Sequence, residues 1–258
     1  MDWVHNMFDL TGKTAIVTGG ATGLGRAMAE GLHKAGAQLV LIARNEQRLE
    51  QAAKEMGREG APVSWVSGDL SRLENVPAIY QKALDQLGGK LDILVNNAGI
   101  QHRCKAVDFP LEKWNAIVDT NLSAVFALAQ QAGRTMLAQG HGRIINIASM
   151  TSYFGSELIP AYAASKGGVM QLTKALANEW TQGGVNVNAI APGYMVTELT
   201  GDMEQKNPAQ YREVTRRIPA HRWGRPEDLQ GVVVFLASEA SAYLSGTIIP
   251  VDGGYLGK

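Results

Sequence analysis

Cysteine is nearly absent from this chain: its 258 residues include one, Cys104. No internal disulfide can form, so the fold must rest on a packed core, and the usage fits a reducing cytosol. Net charge is missing as well. Lys and Arg number 24 and Asp and Glu number 24, which gives no basic or acidic field to attract nucleic acid or a charged membrane. No apolar run approaches the ~18 residues of a membrane span. The first eight residues, Met-Asp-Trp-Val-His-Asn-Met-Phe, lack the basic start and apolar core of a signal peptide. Repeats, low-complexity tracts and linker-like stretches are also missing. The expectation is a soluble, cytoplasmic protein with one domain over residues 1–258, a small-molecule substrate, no nucleic-acid or membrane partner and no metal.

What is present favours order. Hydrophobic residues make up 45% and charged residues 19%, which is a globular composition and not a disordered one. Short apolar runs over residues 15–17, 38–43, 63–66, 93–96, 143–147, 185–190 and 247–250 alternate with helical patterns. Those patterns fall at about 26–32, 45–59, 75–87 and 111–137, with one more around Tyr162. Strands alternating with helices of this length predict a parallel sheet covered on both faces, wound in both directions by right-handed crossovers. In such an α/β, doubly wound sheet the ligand sits beyond the carboxyl ends of the strands. The unusual polar clusters all fall there: 19–25, Asp69, 96–99, Ser149 and Pro192-Gly193. The stretch 197–217, polar and carrying Gly201 and Pro208, breaks the alternation and reads as a substrate loop or lid.

Two clusters carry chemistry. Tyr162 and Lys166 lie four residues apart, thirteen after Ser149. On a helix they share a face, and an adjacent ammonium lowers a tyrosine pKa towards the range useful for acid-base catalysis. At the other end, the strand-like Ala15-Ile16-Val17 runs into a turn with Gly19, Gly23 and Gly25, followed by a helical pattern. Glycines there permit tight turning and close backbone approach, and the helix N-terminus offers N–H groups to a phosphate.

Together these residues resemble the short-chain dehydrogenase/reductase family over nearly the whole chain. The carriers are Thr18-Gly19-x-x-x-Gly23-x-Gly25, Asn96-Asn97-Ala98-Gly99, Asn121, Ser149, Tyr162-x-x-x-Lys166 and Pro192-Gly193. The resemblance implies a Rossmann-type fold, a nicotinamide dinucleotide and hydride transfer between a carbonyl and an alcohol. It implies Tyr162 as general acid and base, Ser149 on the substrate oxygen, Lys166 on the nicotinamide ribose, and Asn121 in a proton relay. For the cofactor it implies the turn Gly19, Thr22, Gly23, Leu24 and Gly25, then Asp69 and Leu70 at the adenine. Asn96, Ala98 and Gly99 would line the adenosine side, and Pro192, Gly193 and Thr197 the nicotinamide. Three of these residues also have a structural reading: Ser149 as a turn cap, Asp69 as a cap near Ser71, and Asn121 as a core amide that kinks a long helix. The family further implies a homo-oligomer, commonly a tetramer.

The turn after the second strand holds Ala43 and Arg44 and no acid. An arginine there can fork onto a 2′-phosphate, so NADP(H) is expected over NAD(H). Thr22 stands where NADP-preferring relatives often carry a basic residue, which leaves NAD open. A finer resemblance, through Gln101-His102-Arg103 and Arg217-Ile218-Pro219-Ala220-His221-Arg222-Trp223-Gly224, is to sugar-acid members such as gluconate 5-dehydrogenases and 2-dehydro-3-deoxy-D-gluconate 5-dehydrogenases. Arg103 is then the expected carboxylate contact, with Arg222 and Trp223 closing the far side. The alternatives are reduction of a diol, sugar alcohol or acyl-carrier ketone, or a non-catalytic dinucleotide-binding regulator.

Overall fold

The apolar runs become the strands of one sheet in the computed structural model, which describes all residues except 1, 2, 59, 199, 201, 202 and 258. The strands are β1 (Thr14–Thr18), β2 (Gln38–Ala43), β3 (Val63–Ser67), β4 (Ile93–Asn96), β5 (Gly142–Ile147), β6 (Val185–Pro192) and β7 (Ile248–Val251). All pair in parallel, in the order β3-β2-β1-β4-β5-β6-β7. The chain winds outward from β1 to β3, returns to β4, and winds the other way. The reversal falls between β1 and β4, and a crevice opens at their carboxyl ends.

The helices are α1 (Trp3–Phe8), α2 (Gly23–Lys34), α3 (Glu46–Met56), α4 (Val76–Gln86), α5 (Leu111–Val118), α6 (Ala124–Gln139), α7 (Pro160–Trp180), α8 (Met203–Lys206), α9 (Pro208–Arg217) and α10 (Gln230–Ala237). Strand side chains alternate between the two faces. Ile16 joins Val40, Leu94, Ile144 and Val187 in one core with Tyr80, Leu128 and Leu176 of α4, α6 and α7. Its neighbours Ala15 and Val17 join Leu41, Val95 and Ile145 in the other, with Leu32, Leu49 and Leu236 of α2, α3 and α10. A one-residue slip of β1 would exchange the two sets, so burial on both faces fixes where the strand ends, and the glycine turn with it.

Three local differences from the sequence expectations have physical causes. The helix expected over 45–59 starts on the Asn45 cap, whose side chain accepts from Arg48 N at 2.9 Å, and ends at Met56 before Gly57; Glu59 lies outside the described residues. The single helix expected over 111–137 is two helices joined by five residues of π-helix, Asp119–Ser123. The 197–217 stretch contains α8 and α9, the second begun by Pro208 and by Asn207, whose side chain accepts from Gln210 N at 3.2 Å. Gly201 lies outside the described residues.

The far end of the sheet is pinned by one buried carboxylate. Asp92 accepts from Thr14 N (2.9 Å), Thr14 Oγ1 (3.0 Å), Lys90 Nζ (3.1 Å) and His141 Nε2 (2.8 Å). Burial pushes its pKa up, but these donors outweigh burial and hold it below the usual carboxylate value.

Candidate active site

At the end of β1 the Thr18 hydroxyl accepts from Asn97 N (2.9 Å) and Ala98 N (3.0 Å), while Asn97 Nδ2 donates to Thr18 O (3.0 Å). The strands on either side of the crevice are thereby tied together. The glycine turn lies against this knot. Gly19 has φ +65°, and a Cβ on it would stand 2.7 Å from Asn97 Nδ2. A Cβ on Gly25 would collide with the Gly19 carbonyl and the Asn97 amide. Glycine at 25 is therefore a packing requirement, because the helix start rests directly on the turn.

A cleft of about 220 Å³ opens beside it, lined by Gly19, Thr22, Arg44, Asp69, Leu70, Ala98 and Gly99, all expected from the sequence. Ile42, Ala43, Gly68, Ser71, Ile100 and Thr120 complete the wall. The donor set fits a dinucleotide. A turn with positive φ at Gly19 and Gly23 leads into the N-terminus of α2, and the exposed Arg44 stands at one end. Asp69 accepts from Ser71 Oγ (2.8 Å) and Ser71 N (3.0 Å), which hold its carboxyl below the usual value. Its capping reading holds alongside its place in the cleft.

Other expected cofactor residues are not among those that line this cleft. Asn96 is buried and donates to Asn146 Oδ1 at 3.0 Å, beneath the sheet end. Leu24 packs on the α2-side core. Gly193 donates to Val251 O at 2.9 Å, and a Cβ on it would stand 2.6 Å from Asp252 Cα. Pro192 ends β6 beside it. Thr197 closes a threonine turn, its N–H donating to Thr200 Oγ1 at 2.9 Å.

The structure does bring Ser149, Tyr162 and Lys166 together. Ser149 is hydrogen-bonded to the Tyr162 phenol, and it also caps its own turn, accepting from Thr151 N at 3.2 Å. Lys166 is 4% exposed, with Nζ 5.7 Å from the Tyr162 ring centroid, and donates to Ile147 O at 2.6 Å. Burial lowers its pKa to about 8. The Tyr162 phenol departs from the expected direction: burial raises its pKa, and the Ser149 hydrogen bond only partly offsets this. The reason is geometric, since the ammonium lies over the ring and its hydrogen bond goes to a carbonyl.

Asn121 is fully buried in the π-turn. Its Oδ1 accepts from Ile100 N (2.8 Å), and its Nδ2 donates to Ile100 O (2.9 Å) and Ser165 Oγ (3.3 Å). The amide thus fixes the Ile100 wall of the cleft to the Tyr162 helix.

The segment joining Ser149 to Tyr162 forms part of a second, larger cavity of about 520 Å³. Arg103 lines it as expected. Arg222 does not: it forks onto Asp228 (2.6 and 3.1 Å). Trp223 is buried behind the cavity, 5.3 Å from the Tyr194 ring. Sequence reasoning missed Tyr194, Gln210, Glu213, Arg217 and Tyr255 in this wall. One signal was available: residues 210, 213, 214 and 217 have i, i+3, i+4, i+7 spacing, which places them on one face of a helix.

Comparison with known proteins agrees with this geometry. A family model described as short chain dehydrogenase matches residues 13–208. The 2-dehydro-3-deoxy-D-gluconate 5-dehydrogenase of Bacillus subtilis (strain 168) is 46% identical over 262 residues, covering 100% of both chains. The gluconate 5-dehydrogenase of Gluconobacter oxydans (strain 621H) is 38% identical over 250 residues, covering 96% of each. Among solved structures, a gluconate 5-dehydrogenase from Burkholderia cenocepacia J2315 in complex with NADP and tartrate superposes with a TM-score of 0.92 at 38% identity, covering 99% of each chain.

Proposed function

This chain belongs to the short-chain dehydrogenase family of NAD(P)-dependent oxidoreductases, and from that premise we propose that it interconverts a ketone and a secondary alcohol on a sugar acid, preferring NADP(H) to NAD(H). The observation that carries this reading is the grouping of Ser149, Tyr162 and Lys166, with the segment between Ser149 and Tyr162 lining a cavity whose wall also holds Arg103. The names and NADP complex of the relatives support it. The gluconate, 5-keto-gluconate and deoxy-keto-gluconate class is the substrate group.

The dinucleotide would lie along the cleft from Arg44 and Asp69 past Gly19, Thr22, Ala98 and Gly99, with Gly23, Gly25, Pro192, Gly193 and Thr197 shaping its path. Bound nicotinamide supplies the hydride in reduction and accepts it in oxidation. Tyr162 gives its phenol proton to the carbonyl oxygen during reduction and takes the alcohol proton during oxidation. Ser149 donates to the same oxygen as charge develops on it. Lys166, with three N–H donors, steadies the phenolate and returns the proton. The Asn121 side chain is already engaged with Ile100 and Ser165, so its backbone carbonyl is the group left for the relay. Arg103 meets the carboxylate, and the segment 197–217 serves as a substrate lid within one domain. The assembly is a cytoplasmic homotetramer, a reading supported by the exposed apolar Leu111, Trp114 and Phe126 on α5 and α6.

NADPH oxidation followed by absorbance tests the reading, with 5-keto-gluconate and related keto acids set against neutral ketones. Turnover confined to the acids, a lower KM for NADPH than NADH, and loss of at least roughly 100-fold in rate for Tyr162→Phe are expected. Turnover of neutral ketones alone would discard the sugar-acid reading. Cofactor binding without any turnover would favour a regulator.

A further inference from the structure

The larger cavity has a second guanidinium in its wall besides that of Arg103. Arg217 ends α9, and its guanidinium carbon lies 5.2 Å from the centroid of the Tyr255 ring. Tyr255 meets Tyr194 edge-on at 5.6 Å, Tyr194 meets Trp223 at 5.3 Å, and Trp223 stacks on Tyr211 of α9 at 5.1 Å. Trp223 Nε1 also donates to Thr215 Oγ1 of α9 at 3.0 Å. Lid helix, C-terminal turn and the segment after β6 are thus one aromatic stack, with Arg217 laid on its end. Aromatic stacking engages the face of a guanidinium, while a carboxylate is met through its N–H edge, so one arginine can do both.

Arg103 comes to the same cavity from the loop after β4. That loop is fastened at Cys104, whose N–H donates to Leu158 O at 2.8 Å, and Leu158 holds the uncommon φ of +67°. Both guanidinium groups bear on one phenol, that of Tyr194. Burial raises its pKa, as does Tyr255, while Arg217 and Arg103 pull the other way. The cavity also has Glu157 and Glu213 in its wall, the latter one turn before Arg217. Two cations with two carboxylates suit a ligand with a single negative charge and several hydroxyls. A phosphate or second carboxylate on the ligand would meet the glutamates.

We propose that Arg217 determines specificity for the substrate's carboxylate, closing with Arg103 as a two-armed clamp, and that Tyr255 is the positioning residue that holds it. The cavity therefore selects polyhydroxy monocarboxylates over phosphorylated or dicarboxylic sugars. This rests on the sugar-acid reading above and extends it to a residue of the lid.

The test is calorimetric titration of D-gluconate and of neutral D-glucitol into the NADPH-loaded enzyme, a pairing in which both cofactor and ligand are already reduced and no hydride can pass, alongside steady-state kinetics with 5-keto-gluconate. For Arg217→Met, gluconate affinity should fall roughly 10- to 100-fold, with KM for 5-keto-gluconate rising in step, kcat retained and glucitol binding little changed. Arg217→Lys should recover part of the loss, and Tyr255→Leu should fall between Arg217→Met and wild type. Equal weakening of gluconate and glucitol, unchanged gluconate affinity, or a wild type that binds gluconate no better than glucitol would overturn the proposal. Calorimetry reads carboxylate recognition without turnover. Selective gluconate binding with no reduction of 5-keto-gluconate would therefore count against the proposed reaction and not against Arg217. Should Arg217→Met fail to fold, Arg217→Lys and Tyr255→Leu carry the same comparison.

Discussion

Lys166 is held at a thermodynamic cost. Its ammonium titrates near 8 because burial penalises the charged form, against an ordinary value of 10.5. Between these values the unfolded chain binds a proton that the folded chain has released, so stability rises with pH through that window. Below about pH 8 the penalty is fully present. Lys166→Met should therefore stabilise the cofactor-free protein at pH 7 by about 1–3 kcal/mol, the lost hydrogen bond to Ile147 offsetting part of the gain. The gain should fade as pH rises from 8 towards 10.5. Thermal melts of both proteins across that range check it, and a variant that melts lower at pH 7 would contradict it. Turnover should be lost in the same variant, since stability and function oppose each other at such a site. The i, i+4 spacing made the pairing of Tyr162 and Lys166 legible in the sequence. The raised phenol was not, because its sign depends on where the ammonium's hydrogen bond goes.

At the level of elements, the sheet is fixed at both ends by polar groups that the strands carry to each other. Thr18 and Asn97 join β1 to β4 on the cleft side. Asp92 joins the start of β1 to the start of β4 and to His141, just before β5, at the opposite end. Asp92→Ala would leave Thr14 N–H without its buried acceptor and should cost about 2–4 kcal/mol. Denaturant titration should show this at pH 7, with kcat retained under folding conditions because Asp92 lies at the end of the sheet away from the cleft. Asp92 has a lowered folded pKa, so its contribution is present above the unfolded value near 4 and is lost as pH falls through the folded one. The wild-type and variant stabilities should then converge in acid, and a constant difference down to pH 2 would refute the assignment. The strand runs and their order along the chain were legible from period and length. The π-turn at Asp119–Ser123 was not, although a kink at Asn121 was weighed, because the one-residue phase shift it makes in the apolar stripe is blurred by the frequent alanines of α6.

For the whole molecule, the proposed tetramer draws on Leu111 (77%), Trp114 (36%) and Phe126 (44%), large apolar side chains exposed on α5 and α6, as surface for a second copy to cover. Light scattering should return about four times the 27.7 kDa of one chain, and a monomer would refute the tetramer. Sequence by itself determined the parallel sheet, the crevice at its strand ends and the pairing of Tyr162 with Lys166. Each is written in local spacing: apolar runs of strand length, a glycine turn, and two side chains one helical turn apart. Only the tertiary structure decided how the second cavity is walled. Tyr194, Arg217 and Tyr255 are far apart in the chain and meet through aromatic packing, a contact that no local pattern encodes. It also decided that Asn96 and Arg222 turn away from the clefts. A buried amide and an arginine bond to whichever partner lies within reach, here Asn146 and Asp228, and the fold decides which partners come within that reach.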